Sequence, residues 1–261
     1  MNIMMLINPS NKFKQKLLPV LVVWLLCSIN VNAQLKDIIT QGLGAVDKLN
    51  QSLLNMTAIS DAEENKVGVG LEKEILKNKK VIKEYKFNIA QIFSKIKPFI
   101  QRKSIYYGYK VVKDTVVNAY AIAGGKMFIN SGLINFLSNE DEIAYVIAHE
   151  ISHNELKHCI SKIQYAVRAS KINPILGDVV SIAYNIYRTP FSKEDEFAAD
   201  DNGVKLMKQA GYKVSGAISA LEKIAKLEEK YEMNKRGALN DFISSHPLAK
   251  QRIERIKKNS K

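Results

Sequence analysis

Residues 149–153 read His-Glu-Ile-Ser-His, and this short stretch organises the interpretation of the whole chain. On a helix, residues four apart lie about one turn apart on the same face, so His149 and His153 can present two imidazole nitrogens to one metal ion. Glu150, between them, is placed to act as a general base on a water that the metal activates. The pattern predicts a helix that carries two ligands of a catalytic zinc ion.

Zinc catalysis requires three protein ligands and one open coordination position. No histidine follows at the spacing of the zinc proteases that take a third one downstream. His158 lies five residues after His153, which is about 140° around a continuous helix, so we interpret it as a surface histidine facing elsewhere. The third ligand should therefore be a carboxylate on another helix.

The acidic segment 192–200 is the best source of that carboxylate. Glu196 and Asp200 share one helix face, and the three apolar residues between them need to be buried. We expect Glu196 to be the third ligand, with Glu194 and Asp195 as alternatives. Asp200 is expected to lie just outside the ligands, where it would accept the second N–H of a ligating histidine and fix its ring.

The rest of the pattern predicts an α+β fold that is mostly helical. Residues 61–66 are polar and resemble a linker, and residues 67–97 have apolar positions at helical spacing, which predicts one long helix. Three strand-like segments follow, at residues 105–112, 115–123 and 126–129. We expect them to form a small antiparallel sheet, turning at residues 124–125, beside a catalytic helix that continues to about Ala169.

The first 33 residues have the features of a secretory signal. They contain lysines and no acidic residue, an apolar run at 17–26 that is too short for a comfortable membrane span, and small residues ending at Ala33. An uncleaved membrane anchor is the alternative. We therefore predict export across the inner membrane to the periplasm or cell envelope, a helical leader and linker at 34–64, and one catalytic domain at 65–261.

The formal net charge of the chain is +13, but its basic residues are interspersed with acidic ones. No nucleic-acid-binding motif accompanies them, so we do not expect nucleic acid as a partner. A diffuse positive surface would attract an anionic membrane or an acidic polypeptide. The hydrophobic content of 46% is ample for a folded core.

Several segments together resemble the gluzincin signature of the M48 metallopeptidase family. They are the 149–153 stretch, the serine, glutamate and aspartate at 192, 196 and 200, the strand block beginning at Asn118, and His246 followed by Arg252 six residues later. The similarity covers about residues 65–257. The chain has no multiple membrane spans in its pattern, so it resembles the compact, secreted branch of the family.

This resemblance implies a zincin-like peptidase domain with one Zn²⁺ ion per chain. It also implies that His246 and Arg252 help to stabilise the oxyanion formed during peptide hydrolysis. A polypeptide substrate would lie extended along the edge strand, where added backbone hydrogen bonds need no particular side-chain sequence. The residues of that strand are Asn118, Ala119, Tyr120 and Ala121.

The sequence thus predicts a zinc-dependent endopeptidase of the cell envelope that hydrolyses unfolded or misassembled proteins. The alternative is a zinc-stabilised, chaperone-like or latent binding protein with little proteolytic turnover. In the latent form, His246 or His158 would occupy the fourth position on the metal.

Overall fold

The computed structural model describes residues 59–169, 175–234, 246 and 248–260. The predicted signal at 1–33 and residues 34–58 of the predicted leader lie outside these residues. Within the described part of the chain, no helix is both long and apolar enough to cross a membrane.

Helices form most of the described structure and surround one small sheet. The helices are α1 (Asp61–Leu76), α2 (Ile89–Ile96), α3 (Ser131–Phe136), α4 (Glu140–Glu155), α5 (His158–Ala169), α6 (Leu176–Ile186), α7 (Lys193–Gln209), α8 (Val214–Asn234) and α9 (Ala249–Asn259). The strands are β1 (Gly108–Val112), β2 (Ala119–Ile122) and β3 (Lys126–Asn130). The predicted α+β class is confirmed.

The sheet is mixed, so the prediction of a wholly antiparallel sheet was wrong. Its strand order is β1-β3-β2, with β2 antiparallel and β1 parallel to β3. The β2–β3 hairpin turns through Gly124 and Gly125, which both have positive φ angles. Because β3 lies between β1 and β2 in the sheet, the chain that joins β1 to β2 crosses β3 instead of making a tight turn. Asp114 stabilises that crossing by accepting a hydrogen bond from the Val116 N–H at 3.0 Å.

The predicted long helix at 67–97 is two helices, α1 and α2, separated by an extended segment. Ile82 N–H donates to the Val111 carbonyl at 2.9 Å, and Lys113 N–H donates to the Lys80 carbonyl at 2.8 Å. This segment therefore runs beside β1, and Ile82 packs against the core from there. The apolar spacing of this segment is compatible with a helix, but its backbone groups form hydrogen bonds with β1 and the residue after it.

The polar segment at 61–66 is the first part of α1 and not a linker. Ser60 and Glu63 form a capping box at its start. Glu64 is 1% exposed, accepts a hydrogen bond from Gly124 N–H and forms an ion pair with Arg102 at 2.7 Å. Its carboxylate thus joins α1 to the glycine turn of the sheet.

Helix α4 is the central helix, and it is shorter than predicted. It ends at Glu155, and Lys157 adopts a left-handed conformation with φ of 64° before α5 begins. Glu155 accepts hydrogen bonds from the backbone N–H groups of Gln101 and Arg102 at 2.8 and 2.9 Å. These tertiary contacts fix the end of α4, so the chain turns there without a glycine.

Helix α7 crosses α4 at close range, and a glycine permits the approach. A Cβ atom added to Gly203 would lie 3.1 Å from the Cα of His149. Ala199, on the same helix, is completely buried. This close crossing brings the acidic first turns of α7 next to the histidines of α4.

The left-handed residue at 157 gives a test of the α4–α5 turn. We expect Lys157→Gly to raise the free energy of unfolding by about 0.5–1 kcal/mol, because glycine adopts this conformation without a Cβ clash. Lys157→Val should lower it by about 1–2 kcal/mol. Urea denaturation of both variants measures these changes.

Lys205→Gly, at an exposed position inside α7, is the matched control. Glycine should lower the free energy of unfolding there by about 1 kcal/mol. If glycine lowered the free energy of unfolding equally at positions 157 and 205, the left-handed conformation of Lys157 would be contradicted.

Candidate metal centre

Four side chains place possible metal-ligating atoms within 4.8 Å of one another. His149 and His153 come from α4, Glu196 from α7, and His246 from the residues before α9. The two α4 imidazoles approach at 3.1 Å between their Nε2 atoms, and His246 Nδ1 lies 2.9 Å from Glu196 Oε1. The structure therefore brings together the three predicted ligands and a fourth residue, His246. These four residues are called the donor cluster, because each offers one atom that could donate a lone pair to a metal ion.

The cluster is almost completely removed from solvent. His153 and Glu196 are fully buried, and His149 is 4% exposed. A carboxylate buried in this way is costly unless opposite charge or hydrogen bonds compensate it. The neighbouring residues supply that compensation.

Asp200 lies behind His149, and Arg252 lies behind both carboxylates of α7. The Nδ1 atom of His149 is 2.9 Å from Asp200 Oδ1. Arg252 donates to both oxygens of Asp200, at 2.8 and 2.7 Å, and its Nη1 is 2.9 Å from Glu196 Oε2. Asp200 therefore contacts the outer ring nitrogen of His149, and Arg252 is a buried part of the same layer.

The charges of this layer shift the pKa values of its groups. Although burial would raise the pKa of Glu196, the charges of His246 and Arg252 hold it well below its usual range. Burial opposes a low pKa for Asp200 in the same way, and Arg252 again outweighs it. With the imidazoles neutral, the two ionised carboxylates and one guanidinium leave one negative charge, which a protonated histidine or a metal cation can balance.

The pKa of His149 responds to this excess of negative charge. Burial and the charge of Arg252 act to lower it, but hydrogen bonds to Asp200 and Glu196 outweigh them and raise it to about 9. A proton on His149 is one way to balance the cluster. A metal cation held by His149 Nε2 is the other, because a proton and a metal ion compete for the lone pair of that nitrogen.

Glu150 lies beside the cluster and is 2% exposed. Its Oε1 atom is 3.5 Å from His246 Nε2, and its Oε2 atom is buried without a hydrogen-bond partner. Glu150 therefore has one buried carboxylate oxygen available to accept a hydrogen bond.

The prediction that His158 faces away from the site was wrong. Its Nδ1 atom lies 3.0 Å from the Nδ1 atom of His153, and its Nε2 atom lies 3.4 Å from Asp195 Oδ1. The turn at Lys157 redirects the chain, so the angular spacing of a continuous helix does not apply. Of the three acidic candidates at 194–196, only Glu196 reaches the donor cluster, since Glu194 is exposed and Asp195 faces His158.

Two aromatic residues at the site were not identified from the sequence. The Tyr145 hydroxyl donates to Asp200 at 2.6 Å and accepts from Arg252 at 3.0 Å. Tyr145 precedes His149 by four residues on the same helix, and that spacing was the available signal. Phe191 stacks on the His153 ring with 3.9 Å between centroids, and nothing in the local sequence pattern indicated it.

The predicted substrate strand lies at the edge of the sheet, as the order β1-β3-β2 requires. Asn118 directly precedes β2, and its carbonyl accepts a hydrogen bond from Asn130 N–H. Tyr120 contacts the Tyr187 ring at a centroid distance of 5.5 Å. Asn118 and the four residues of β2 are each at most 7% exposed, so neighbouring residues cover their side chains.

Comparison with known proteins identifies the family to which this chain belongs. The sequence profile described as peptidase family M48 matches residues 86–260, which include every donor of the cluster. The chain belongs to peptidase family M48. The M48 resemblance predicted from the sequence is thus confirmed.

Curated relatives of this M48 chain are metalloproteases. Mitochondrial metalloendopeptidase OMA1 of Saccharomyces cerevisiae is 32% identical over 158 residues, covering 57% of this chain and 45% of the relative. Metalloprotease LoiP of Escherichia coli is 28% identical over 186 residues, covering 67% and 70%. The beta-barrel assembly-enhancing protease of Escherichia coli is 22% identical over 165 residues, covering 56% and 33%. The match thus spans less than half of the yeast relative.

The hydroxyl of Tyr145 gives a test of the layer behind the donors. We expect Tyr145→Phe to lower the free energy of unfolding by about 1–2 kcal/mol, because a hydrogen bond to a buried charged group is lost. Tyr107→Phe is the matched control, since the Tyr107 hydroxyl is buried without a hydrogen-bond partner. Removing that hydroxyl should be neutral or stabilising, and urea denaturation distinguishes the two results.

Proposed function

We propose that this protein is a zinc-dependent endopeptidase that cleaves unfolded or misassembled proteins of the cell envelope. The observation that supports it most directly is the buried cluster of His149, His153 and Glu196 with Glu150 beside it. Membership of peptidase family M48 supports the reaction class.

The residues present suit zinc. Two or three imidazole nitrogens and one carboxylate oxygen are ligands that Zn²⁺ prefers, and the excess of negative charge in the buried layer favours a cation. When bound, the ion would supply a Lewis acid that lowers the pKa of a water and polarises the scissile carbonyl. His149, His153 and Glu196 are the residues proposed to hold it.

The chain's own residues would then carry out positioning and proton transfer. Asp200 orients His149 through its Nδ1 atom, which leaves Nε2 directed into the cluster. Glu150 takes a proton from the attacking water and delivers it to the leaving amine. Glu150 directly follows His149 on α4, and its Oε1 atom lies 3.5 Å from His246 Nε2, which supports this assignment.

His246 and Arg252 are assigned different roles. His246 lies 3.5 Å from Glu150 and among the donors, a position that supports contact with the reacting atoms. Arg252 contacts Asp200, Glu196 and Tyr145, and its Nη2 atom lies 3.3 Å from His149 Nδ1. These contacts favour a role in holding those side chains over direct contact with the oxyanion.

Substrate access requires movement around the site. Glu150 is 2% exposed and His246 is 2% exposed, so a peptide cannot approach them without displacing residues that cover them. Phe191 lies against the rings of His153 and His246, and Tyr187 lies against Tyr120 of the edge strand. Displacement of both rings would give access to the site and to β2, where an extended segment of an unfolded protein could add as a strand.

The cellular setting is proposed from the predicted signal and from the relatives. Two relatives from Escherichia coli are named as a metalloprotease and as a beta-barrel assembly-enhancing protease. We propose export to the periplasm or cell envelope, polypeptides as the only macromolecular substrates, and attraction of the positive surface to anionic membrane. Nucleic acid is not a proposed partner.

Digestion of an unfolded polypeptide by the zinc-loaded chain tests the proposed reaction. We expect the wild-type chain to cleave it and Glu150→Gln to cleave it at least about 100-fold more slowly, because the general base is lost while the donors remain. Both proteins should bind zinc equally. Cleavage by Glu150→Gln at the wild-type rate would remove Glu150 from its proposed role.

Metal retention tests the proposed third ligand. We expect Glu196→Gln to weaken zinc binding by at least about tenfold, since a neutral amide replaces an anionic ligand. Glu194→Gln, two residues away on the exposed side of α7, should leave zinc binding unchanged. Dialysis followed by metal analysis gives the comparison, and equal retention by both variants would argue against Glu196.

A further inference from the structure

The two ring nitrogens of His153 point to different surroundings. Nε2 lies 3.1 Å from His149 Nε2 and 3.4 Å from Glu196 Oε1, so it is the nitrogen directed into the donor cluster. Nδ1 lies 3.0 Å from Nδ1 of His158. Two imidazole nitrogens at this distance share one hydrogen, so one must donate it and the other must accept it.

Asp195 favours one direction of that hydrogen bond. Its Oδ1 atom lies 3.4 Å from His158 Nε2, and a carboxylate that faces a ring nitrogen favours the tautomer with the hydrogen on that nitrogen. In that tautomer His158 carries its hydrogen on Nε2, and its Nδ1 presents an accepting lone pair. His153 must then donate from its own Nδ1, which leaves the lone pair of Nε2 free toward the cluster.

The start of α7 holds Asp195 in place. Ser192 N–H donates to Asp195 Oδ2 at 3.2 Å, and Asp195 N–H donates to Ser192 Oγ at 3.1 Å, which together form a capping box. One carboxylate oxygen is thus used by the helix end, and the other faces His158. The next residue along α7 is Glu196. The first turn of α7 therefore supplies both the proposed metal ligand Glu196 and the contact between Asp195 and His158.

We propose that His158 is a positioning residue that, held by Asp195, orients His153 for metal binding. This inference rests on the proposed function, because it assumes that His153 is a ligand. It gives each α4 histidine an outer partner on α7: Asp200 contacts His149 directly, and Asp195 acts on His153 through His158. Such outer partners fix the ring orientation and the protonated nitrogen of a metal-binding histidine.

Zinc affinity of the full-length chain, measured by competition with a chromophoric chelator, tests the proposal. We expect His158→Leu to weaken Zn²⁺ binding by about 10- to 100-fold. His158→Asn places an amide oxygen near the position of Nδ1, so it should recover most of that loss. Ile160→Val, which removes a buried methyl group from the same turn of α5, should bind zinc as the wild type does.

A second pair of variants tests the relay without altering a histidine. Asp195→Ala and Ser192→Ala both break the capping box of α7, but only Asp195→Ala removes the partner of His158. We expect Asp195→Ala to weaken zinc binding several-fold more than Ser192→Ala does. Visible absorption of the Co²⁺-loaded proteins should change for His158→Leu and Asp195→Ala, and it should match the wild type for Ser192→Ala.

Wild-type affinity and an unchanged Co²⁺ spectrum in His158→Leu would overturn the inference. Equal losses in His158→Leu, His158→Asn and Ile160→Val would also overturn it, because general loosening of α5 would then explain them. The proposed function has its own readouts, which are zinc binding and Glu150-dependent cleavage by the wild-type chain. A wild type that binds zinc but does not cleave would reject the enzyme and leave the His158 test intact.

Discussion

The buried guanidinium of Arg252 is the group on which the rest of the site depends. It joins three helices, because it lies on α9, contacts Glu196 and Asp200 of α7, and donates to Tyr145 of α4. Two buried carboxylates would otherwise repel each other in a region without solvent. The guanidinium offsets that repulsion only in part, and the remaining negative charge is what makes the cluster suitable for a cation.

Short contacts between helix ends and side chains determine the positions of the donors. The capping box at Ser192 fixes the start of α7, and hydrogen bonds from residues 101–102 to Glu155 fix the end of α4. Gly203 then allows the two helices to cross closely. The donor geometry thus follows from where the helices begin, end and cross.

The sequence was sufficient where one local period determined the answer. The four-residue spacing of His149 and His153 and the shared face of Glu196 and Asp200 correctly placed these groups together on two helices. It was insufficient where tertiary contacts compete with local preference. Residues 77–88 pair beside β1, and the crossing before β2 allows β1 to pair in parallel with β3, and neither event leaves a periodic signal.

The same limit explains the error at His158. Lysine is not a residue that usually marks a left-handed turn, so nothing at 157 indicated that α4 would stop. Tyr145 could have been found from helical spacing alone, whereas the stacking of Phe191 on His153 depends on a loop whose path only the folded chain reveals.

The turn at Lys157 also makes this part of the chain sensitive to length. Any side chain that tolerates the left-handed conformation can replace lysine there. One inserted or deleted residue between α4 and α5 would instead turn every later position of α5 by about 100° and move it along the axis by about 1.5 Å. Related chains should therefore vary in residue type at this junction while keeping the same number of residues between the positions of His153 and His158.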